Sequence, residues 1–407
     1  MYIQNLKVQN LRCFREAQLQ LRYPNEPNPP DTPFPNVTLL LGNNGAGKTT
    51  ALKSLAIGVL ARVIARSGFV SYHLVRRGEA EAAVEATLVP DERDGAEEIT
   101  PGTPLSLLSK IVRDGDYEEI LPQEGPPLPT LFEDDSPAWF IVGYGATRRV
   151  ETGEYSSSSE EKRRRLRYRR VAGLFEEGVA LTPLTAWLPI FQRERPEVHD
   201  AALRLINRLL PGELRFHGEM EGEEKNLRER EYLFEHRGLS VPFGALSDGY
   251  RAYLGWVADL VYHLASFAKP GDELWDYSGV ILIDEIDLHL HPEWQRSVIG
   301  TVAKALPRMQ LVFSTHSPIV AGTLKRENIF VMETAPDGSS EVRQLEERIY
   351  GLNADQVLIS SYFNLNSTRA PGFERSMRRL TQRAWAGDEG AALEMLRQLA
   401  GKTEQDK

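Results

Sequence analysis

The sequence predicts an α/β fold, because short buried strands alternate with helices along the ordered parts of the chain. Apolar runs predict buried strands at 37–41, 280–284 and 310–314. Between about residues 48 and 67, apolar side chains recur at the spacing of one helical face, and a second helix is predicted after Gly249. Since parallel strands need crossover connections, this alternation favours helices layered on central parallel strands.

The remaining stretches carry weaker patterns. Residues 1–20 predict a pair of strands, and the proline-rich stretch 23–35 predicts a surface loop. Residues 91–135 are rich in Asp, Glu, Pro and Gly, which predicts loops or poorly ordered inserts. A helical pattern covers 174–210, and a charged, hairpin-like stretch continues to about residue 243.

A glycine-rich segment, Gly42-Asn-Asn-Gly-Ala-Gly-Lys48-Thr49, follows the first buried strand. It matches the phosphate-binding loop in full and lies between a buried strand and a strong helix, where that loop is found. Glycines let the backbone turn its N–H groups around phosphates, and the helix N-terminus adds partial positive charge. Lys48 would contact the β and γ phosphates, and the Thr49 hydroxyl would bind Mg²⁺.

Two carboxylates, Asp284 and Glu285, stand at the end of the apolar strand that begins at Val280. Downstream of a phosphate-binding loop, this pattern predicts that Asp284 holds magnesium through water and that Glu285 polarises the attacking water. Without that loop the pattern would be common, and a structural strand end would explain it equally well.

Two further motifs narrow the class of nucleotide-binding protein. Leu246-Ser247-Asp248-Gly249-Tyr250 opens a predicted helix, where a hydroxyl and a backbone N–H make an anion site. Phe313-Ser-Thr-His316-Ser-Pro318 ends the next buried strand and places a histidine beside the nucleotide. In isolation the first motif could be an ordinary helix cap, and a lone histidine is more often structural.

In this order and spacing the four motifs resemble those of ABC ATPases, over most of the ordered chain. Lys48 falls in the Walker A motif, Asp284 and Glu285 in Walker B, and Ser247 and Gly249 in the signature. The resemblance implies a P-loop NTPase fold. It would be an ABC-ATPase head with a mixed central sheet, a helical signature lobe and a short helical C-terminal extension. Within that fold we expect segments at 1–67 (Walker A lobe), 68–240 (inserted and helical lobe), 241–340 (signature to histidine) and 341–407 (extension).

The resemblance also implies a site for ATP and Mg²⁺ that two copies share. In that family the signature of one copy caps the γ-phosphate held by Walker A of the other, so we expect a homodimer or a larger even-numbered assembly. The implied catalytic residues are Lys48, Glu285 and His316, and the implied magnesium ligands are Thr49 and Asp284. The implied nucleotide-binding residues are Gly42, Asn43, Asn44, Gly45, Ala46, Gly47, Lys48, Thr49, Thr50, Arg12, Ser247, Gly249 and the D-loop residue Asp287.

The sequence departs from the pattern of ABC ATPases in its signature and at the expected Q-loop, so the roles of the residues there are the least defined by the resemblance. Asp248 and Tyr250 replace residues that are usual in transporter signatures, and no Q-loop glutamine is evident. The loop 143–149, after a strand predicted at 138–142, is a candidate position for the Q-loop. His289 and His291 resemble a metal pair, but no third ligand lies nearby in the sequence, so metal binding is not expected there.

The ends of the chain narrow the resemblance to one group. The start, Leu6-Lys-Val-Gln-Asn-Leu-Arg12-Cys-Phe-Arg15, resembles RecF, SMC and OLD-type heads, in which Arg12 would lie near the nucleotide. The tail around Tyr350-Gly-Leu-Asn resembles that of bacterial anti-phage ATPases, such as the Septu ATPase subunit and retron-associated ATPases. Those commonly work with a separate nuclease, which implies a nuclease or effector partner here. A pair of capping helices with no partner role would explain the tail equally well.

Other functions stay open at this point. A RecF-like DNA-repair ATPase would bind DNA itself, and a transporter ATPase subunit would need a membrane permease, which the N-terminal and histidine motifs disfavour. The basic cluster 162–170 could contact nucleic acid or an acidic partner, although such runs are more often solvated helix faces.

Composition excludes several classes of protein. No apolar run approaches the roughly 20 residues that span a bilayer. The formal net charge of −10 disfavours indiscriminate coating of nucleic acid, so any such contact would be local or made through a partner. A single cysteine, Cys13, excludes a disulfide within the chain and fits a reducing cytoplasm. We therefore expect a cytoplasmic protein that does not cross a membrane.

Overall fold

The computed structural model describes residues 1–27, 29–71, 73–134, 136–148, 166–212, 214–221 and 231–399. The chain forms two compact units, Met1–Leu352 and Asn353–Lys407. In chain order, the first unit contains β1 (Tyr2–Leu11), β2 (Phe14–Gln20), β3 (Val37–Gly42), α1 (Lys48–Ile64), β4 (Glu81–Val89), β5 (Leu105–Asp114), β6 (Tyr117–Ile120), β7 (Ile141–Tyr144), α2 (Leu166–Phe175), α3 (Leu184–Glu194), α4 (Pro196–Leu209), β8 (Leu214–Glu221), β9 (Glu231–His236), β10 (Leu239–Pro242), α5 (Asp248–Ala265), β11 (Gly279–Ile283), α6 (Pro292–Gln295), α7 (Val298–Ala305), β12 (Met309–Thr315), α8 (Pro318–Ala321), β13 (Ile329–Thr334) and β14 (Ser340–Arg343). The second contains α9 (Ala354–Ile359), α10 (Pro371–Trp385) and α11 (Glu389–Leu399).

The central sheet of the first unit has the strand order β14-β13-β3-β12-β11-β7. All of its pairings are parallel except that of β14 with β13. The mixed central sheet expected from the sequence is thus confirmed. Because β3, β12, β11 and β7 run in the same direction, their carboxyl ends meet at one edge of the sheet. The chain segments that follow β3, β11 and β12 at this edge carry the Walker A, Walker B and histidine motifs, and the segment after β7 is the candidate Q-loop.

A second, antiparallel sheet has the order β2-β1-β4-β5-β6. Helix α1 packs against strands of both sheets, which explains why it is apolar on almost all sides. Its interior glycine, Gly58, permits this close packing, because a Cβ there would lie 2.9 Å from the Cβ of Ala86 on β4. The residues around α1 form the main hydrophobic core.

Strands β5 and β6 correct one expectation. The stretch 91–135 was expected to be loops or poorly ordered, and this is wrong for its middle, where the two strands pair from Ile111 with Ile120 to Asp114 with Tyr117. On β5, buried and partly exposed residues alternate, which is the strand period. The acidic and proline-rich flanks dominate the composition of a wide window and conceal this short pattern.

Helices α2 to α5 lie between β7 and β11 in the chain, and the three-stranded sheet β10-β9-β8 is inserted among them. These helices correspond to the expected helical signature lobe. The strand expected at 138–142 is β7, shifted to Ile141–Tyr144. Among the described residues, no helix has both the length and the apolar composition needed to span a bilayer.

The second unit contains an antiparallel helical pair. In it, α10 packs on α11, and the guanidinium of Arg383 forms an ion pair with Asp388 in the connecting turn. This pair lies within the helical extension expected at 341–407. The sheet of the first unit continues beyond residue 341, because β14 reaches Arg343.

Candidate functional site

The phosphate-binding loop joins β3 to α1 at the carboxyl edge of the central sheet. Gly45 and Gly47 have φ angles of +81° and +101°, a region that side chains other than glycine rarely adopt. A Cβ on Gly47 would also lie 2.7 Å from Sγ of Cys13, in the turn between β1 and β2. The loop therefore needs glycine at this position both for its backbone conformation and for its packing.

Lys48 is buried at the start of α1, and its ammonium points back into the loop. It donates hydrogen bonds to the carbonyl oxygens of Gly42, at 2.9 Å, and Asn43, at 3.1 Å. Burial lowers the pKa of Lys48, and the nearby Asp284 and Glu285 oppose that shift. A cation held only by two carbonyls can turn to phosphate oxygens when they enter the loop.

A hydrogen bond between Thr49 and Asp284 joins the phosphate-binding loop to the end of β11. The exposed Thr49 hydroxyl donates to Oδ2 of the buried Asp284 at 2.6 Å, across 235 residues of sequence. Oδ1 of Asp284 accepts a short hydrogen bond from the Ser314 hydroxyl at the end of β12. Hydroxyl and carboxylate oxygens are the ligands that Mg²⁺ prefers, together with substrate phosphates, so this pair fits the expected magnesium site.

Glu285 follows Asp284 in a strained turn and is half-buried. Its φ angle is +50°, which is uncommon for a residue with a side chain. The Glu285 N–H donates to the Ser314 hydroxyl at 2.8 Å. One nitrogen of Arg148 donates to the carbonyl oxygens of Asp284, at 2.8 Å, and Glu285, at 2.5 Å.

Arg148 was not among the predicted site residues. It lies in the loop after β7, within the segment 143–149 that the sequence offered as a Q-loop position. Burial lowers its pKa to about 10, so it stays cationic at neutral pH. A basic residue just beyond a buried strand was the available signal, but only the pairing of β7 with β11 shows what it contacts.

The histidine motif follows β12 on the same edge. The Thr315 hydroxyl donates to Asp287 at 2.5 Å, and the Ser317 hydroxyl caps α8. His316 lies between them, half-buried. Burial and the charge of Lys48 lower the pKa of His316, which keeps the ring neutral at physiological pH.

The signature motif is placed differently. Ser247 is the N-cap residue of α5, is exposed and makes no side-chain capping hydrogen bond. A Cβ on Gly249 would lie 2.4 Å from the carbonyl oxygen of His289, so the start of α5 presses against the D-loop. In the described part of the chain, no hydrogen bond joins Ser247 or Gly249 to the phosphate-binding loop.

The remaining predicted residues surround the loop. Arg12 is exposed in the turn between β1 and β2, next to Cys13, which lies against Gly47. Burial lowers the pKa of Lys53 on α1, and the positive charge of Arg12 lowers it further. Ala46 and Thr50 are buried, while Asn43, Asn44 and Gly45 are exposed at the mouth of the loop.

Comparison with known proteins finds family models and relatives that match this chain. A family model for an AAA domain, whose description names the AbiEii toxin of a type IV toxin–antitoxin system, matches residues 148–321, and a second AAA domain model matches residues 5–69. Septu protein PtuA of Bacillus mycoides (strain KBAB4) is 22% identical over 372 residues, which cover 90% of this chain and 45% of that protein. Retron Ec83 probable ATPase of Escherichia coli is 34% identical over 101 residues, which cover 25% of this chain and 19% of that protein.

A solved SMC head bound to the C-winged helix domain of ScpA has the same fold. It superposes with a TM-score of 0.52 at 18% identity and covers 85% of this chain and 98% of that chain. The chain matches two AAA domain models, has the fold of an SMC head and is similar in sequence to the Septu and retron proteins. It spans less than half the length of the PtuA protein and a fifth of the retron protein that it matches.

The basic cluster 162–170 is largely structural where it is described. Arg167 on α2 is buried and donates to backbone carbonyls, among them those of Glu133 and Ala138. Arg170 is buried against the rings of Phe140 and Phe267, with its guanidinium carbon 5.1 and 5.5 Å from their centroids. These two arginines are therefore inaccessible to a nucleic-acid phosphate. Residues 162–165 of the cluster lie outside the described residues.

Proposed function

We propose that two copies of this chain close around two ATP molecules, hydrolyse them and thereby control a separate nuclease or effector in anti-phage defence. The observation that carries the proposal is the contrast within one chain. Walker A and Walker B are assembled around Thr49 and Asp284. The signature serine, Ser247, is exposed at the start of an 18-residue helix with its hydroxyl not engaged in a cap. An uncapped helix N-terminus keeps its donors available for an anion brought by another molecule.

The chemistry would be phosphoryl transfer to water. Lys48 would leave the Gly42 and Asn43 carbonyls and hold the β and γ phosphates, while Glu285 polarises the attacking water. His316, kept neutral by its surroundings, would donate one hydrogen bond to the γ-phosphate. Thr49 and Asp284 would hold Mg²⁺, which neutralises charge on the phosphates when bound. The partner's signature would supply the remaining donors around the γ-phosphate.

The defence role and the nuclease partner rest on the similarity to the Septu and retron proteins and on the tail residues near Tyr350. The expectation that the protein works in the cytoplasm rests on its single cysteine and its composition. A RecF-like role in DNA repair predicts instead that double-stranded DNA alone stimulates ATP turnover. Measuring turnover with and without DNA separates the two roles.

The proposed dimer is tested by the mass of the purified protein, with and without ATP and Mg²⁺. Glu285→Gln removes the water-polarising carboxylate but keeps the phosphate-binding loop, so ATP should accumulate and trap a dimer or a larger even-numbered assembly. Its kcat should fall by about 10²–10⁴-fold. Native mass spectrometry or light scattering measures the assembly.

Lys48→Ala is the matched control, since it should lose ATP binding and show no nucleotide-dependent change in mass. The composite-site proposal fails if Glu285→Gln binds ATP and its mass stays the same as without nucleotide.

A further inference from the structure

The turn that carries Glu285 is held in an unfavourable conformation. For a residue with a side chain, left-handed backbone angles such as the φ of +50° here are unfavourable, because the Cβ approaches the backbone too closely. Such angles persist where surrounding contacts over-determine them, and they cluster at active sites. The contacts that hold this turn are therefore part of how the carboxylate is placed.

Ser314 at the end of β12 and the segment at the end of β7 supply these contacts. The Ser314 hydroxyl accepts the Glu285 N–H, and the Ser314 carbonyl accepts the Ile286 N–H at 3.0 Å. The Tyr144 carbonyl accepts the Asp284 N–H at 2.8 Å. Four residues later, one guanidinium nitrogen of Arg148 bridges the carbonyl oxygens of Asp284 and Glu285. Hydrogen bonds from a charged donor are about twice as strong as neutral ones, so the pair from Arg148 restrains the turn more strongly than the neutral backbone bond to Tyr144 does.

Tyr144 also connects this restraint to the helix that carries the signature. Its side-chain hydroxyl donates to Oδ2 of Asp259 on α5 at 3.0 Å, and both groups are buried. Oδ1 of Asp259 accepts the Thr182 N–H at 2.8 Å. A cavity of about 30 Å³, lined by Thr147, Arg148 and Asp259 among others, lies behind the loop. Arg148 and α5 therefore line the same cavity, and Tyr144 joins the strand that precedes Arg148 to α5.

We propose that Arg148 is a positioning residue for hydrolysis: it holds the turn of Asp284 and Glu285 so that the Glu285 carboxylate meets the attacking water, and it ties that turn to the end of β7, where Tyr144 contacts the signature helix. This inference rests on the proposed ATP hydrolysis. Arg148 contacts backbone carbonyls of the turn and acts on the reaction through Glu285.

The test compares kcat with the affinity for ATP in two variants. Arg148→Met keeps the length of the stem but removes both hydrogen bonds, and it should lower kcat by about 10–100-fold while ATP affinity, measured with a fluorescent analogue, changes little. Arg148→Lys keeps the charge on a shorter stem, so its kcat should fall between those of Met and wild type. For Arg148→Ala, guanidinium ion well below unfolding concentrations should restore part of the lost kcat.

Arg193→Met, the same change at an exposed arginine of α3, is the matched control and should keep wild-type kcat. The positioning role is overturned if Arg148→Met keeps the wild-type kcat, or if it loses ATP affinity and hydrolysis in parallel, which would make Arg148 a phosphate ligand. Should Arg148→Met fail to fold, the lysine variant decides, because a wild-type kcat there would show that charge alone suffices. Absence of hydrolysis by the wild type would instead overturn the proposed function itself.

Discussion

The proposed site has two halves, the phosphate-binding loop with Asp284 and the signature at the start of α5. Hydrogen bonds within one chain assemble the first half, whereas the second half lies exposed. Lys48 and Asp284 are buried, and both have hydrogen-bond partners within the chain. Ser247 and Asp248 are exposed, and Asp248 forms an ion pair with Arg251 on its own helix. The first half is preorganised before any ligand arrives, whereas the second offers donors to the outside. A shared site between two copies would explain this difference.

The largest expected effect comes from blocking the exposed half. Ser247→Arg places a long cation where the partner's phosphate would dock, and we expect kcat to fall by at least about 10²-fold, as when a transition-state donor is lost. ATP binding by the isolated chain should survive, because the phosphate-binding loop is untouched. Steady-state hydrolysis and equilibrium nucleotide binding measure the two effects.

A mixing experiment sharpens this prediction. Ser247→Arg and Lys48→Ala are each inactive, but a mixed dimer has one intact site, built from the loop of the first chain and the signature of the second. Partial recovery of turnover on mixing is expected. If mixed dimers form without any recovery, the two halves do not work in trans. Tyr117→Arg, an equally large surface change on β6, is the control and should leave turnover unchanged.

A smaller effect is expected from breaking the preorganised half. Gly47→Ala combines a φ of +101° with a Cβ 2.7 Å from Sγ of Cys13, so it should reduce the free energy of unfolding by about 1–3 kcal/mol and weaken ATP binding. Gly45→Ala is the matched comparison, because its φ is +81° but its Cβ would meet nothing within 4 Å. Urea unfolding without nucleotide should rank Gly47→Ala as the less stable; equal losses would show that packing against Cys13 contributes nothing.

The smallest expected effect is a change in the pH dependence of stability, and it concerns a buried histidine on the signature helix α5. His263 is buried on α5 beside Asp259, and burial lowers its pKa below the ordinary 6.5. Above pH 6.5 the ring is neutral in both states and contributes no pH dependence. As the pH falls below 6.5, the unfolded chain takes up the proton first, so stability declines, by up to about 1.4 kcal/mol per pH unit, until the folded pKa is reached. Urea unfolding between pH 7.5 and 5.5 should show a shallower decline for His263→Gln than for wild type; identical slopes would exclude this role of His263.

The local structure that the sequence predicted is confirmed around the phosphate-binding loop and at the end of β11, where it depends on backbone geometry and apolar spacing. Gly45 and Gly47 belong to a loop that only glycine-rich sequence forms, and Asp284 ends a strand whose four apolar residues are all buried. Arg148 was missed, because its role comes from a neighbouring strand 136 residues away in the chain. The strands β5 and β6 were missed because flanking residues concealed their alternation.

By itself the sequence determined the strand–loop–helix of the phosphate site, the carboxylates at a strand end and the glycine-opened signature helix. Each depends on backbone preferences and apolar spacing within a few residues, and those are encoded locally. Only the tertiary structure decided that Thr49 contacts Asp284, that Arg148 restrains Glu285 and that Ser247 stays on the surface. These contacts follow from the strand order and register of the central sheet. Several strand orders would fit the same local sequence patterns, and packing of side chains across the fold selects one of them.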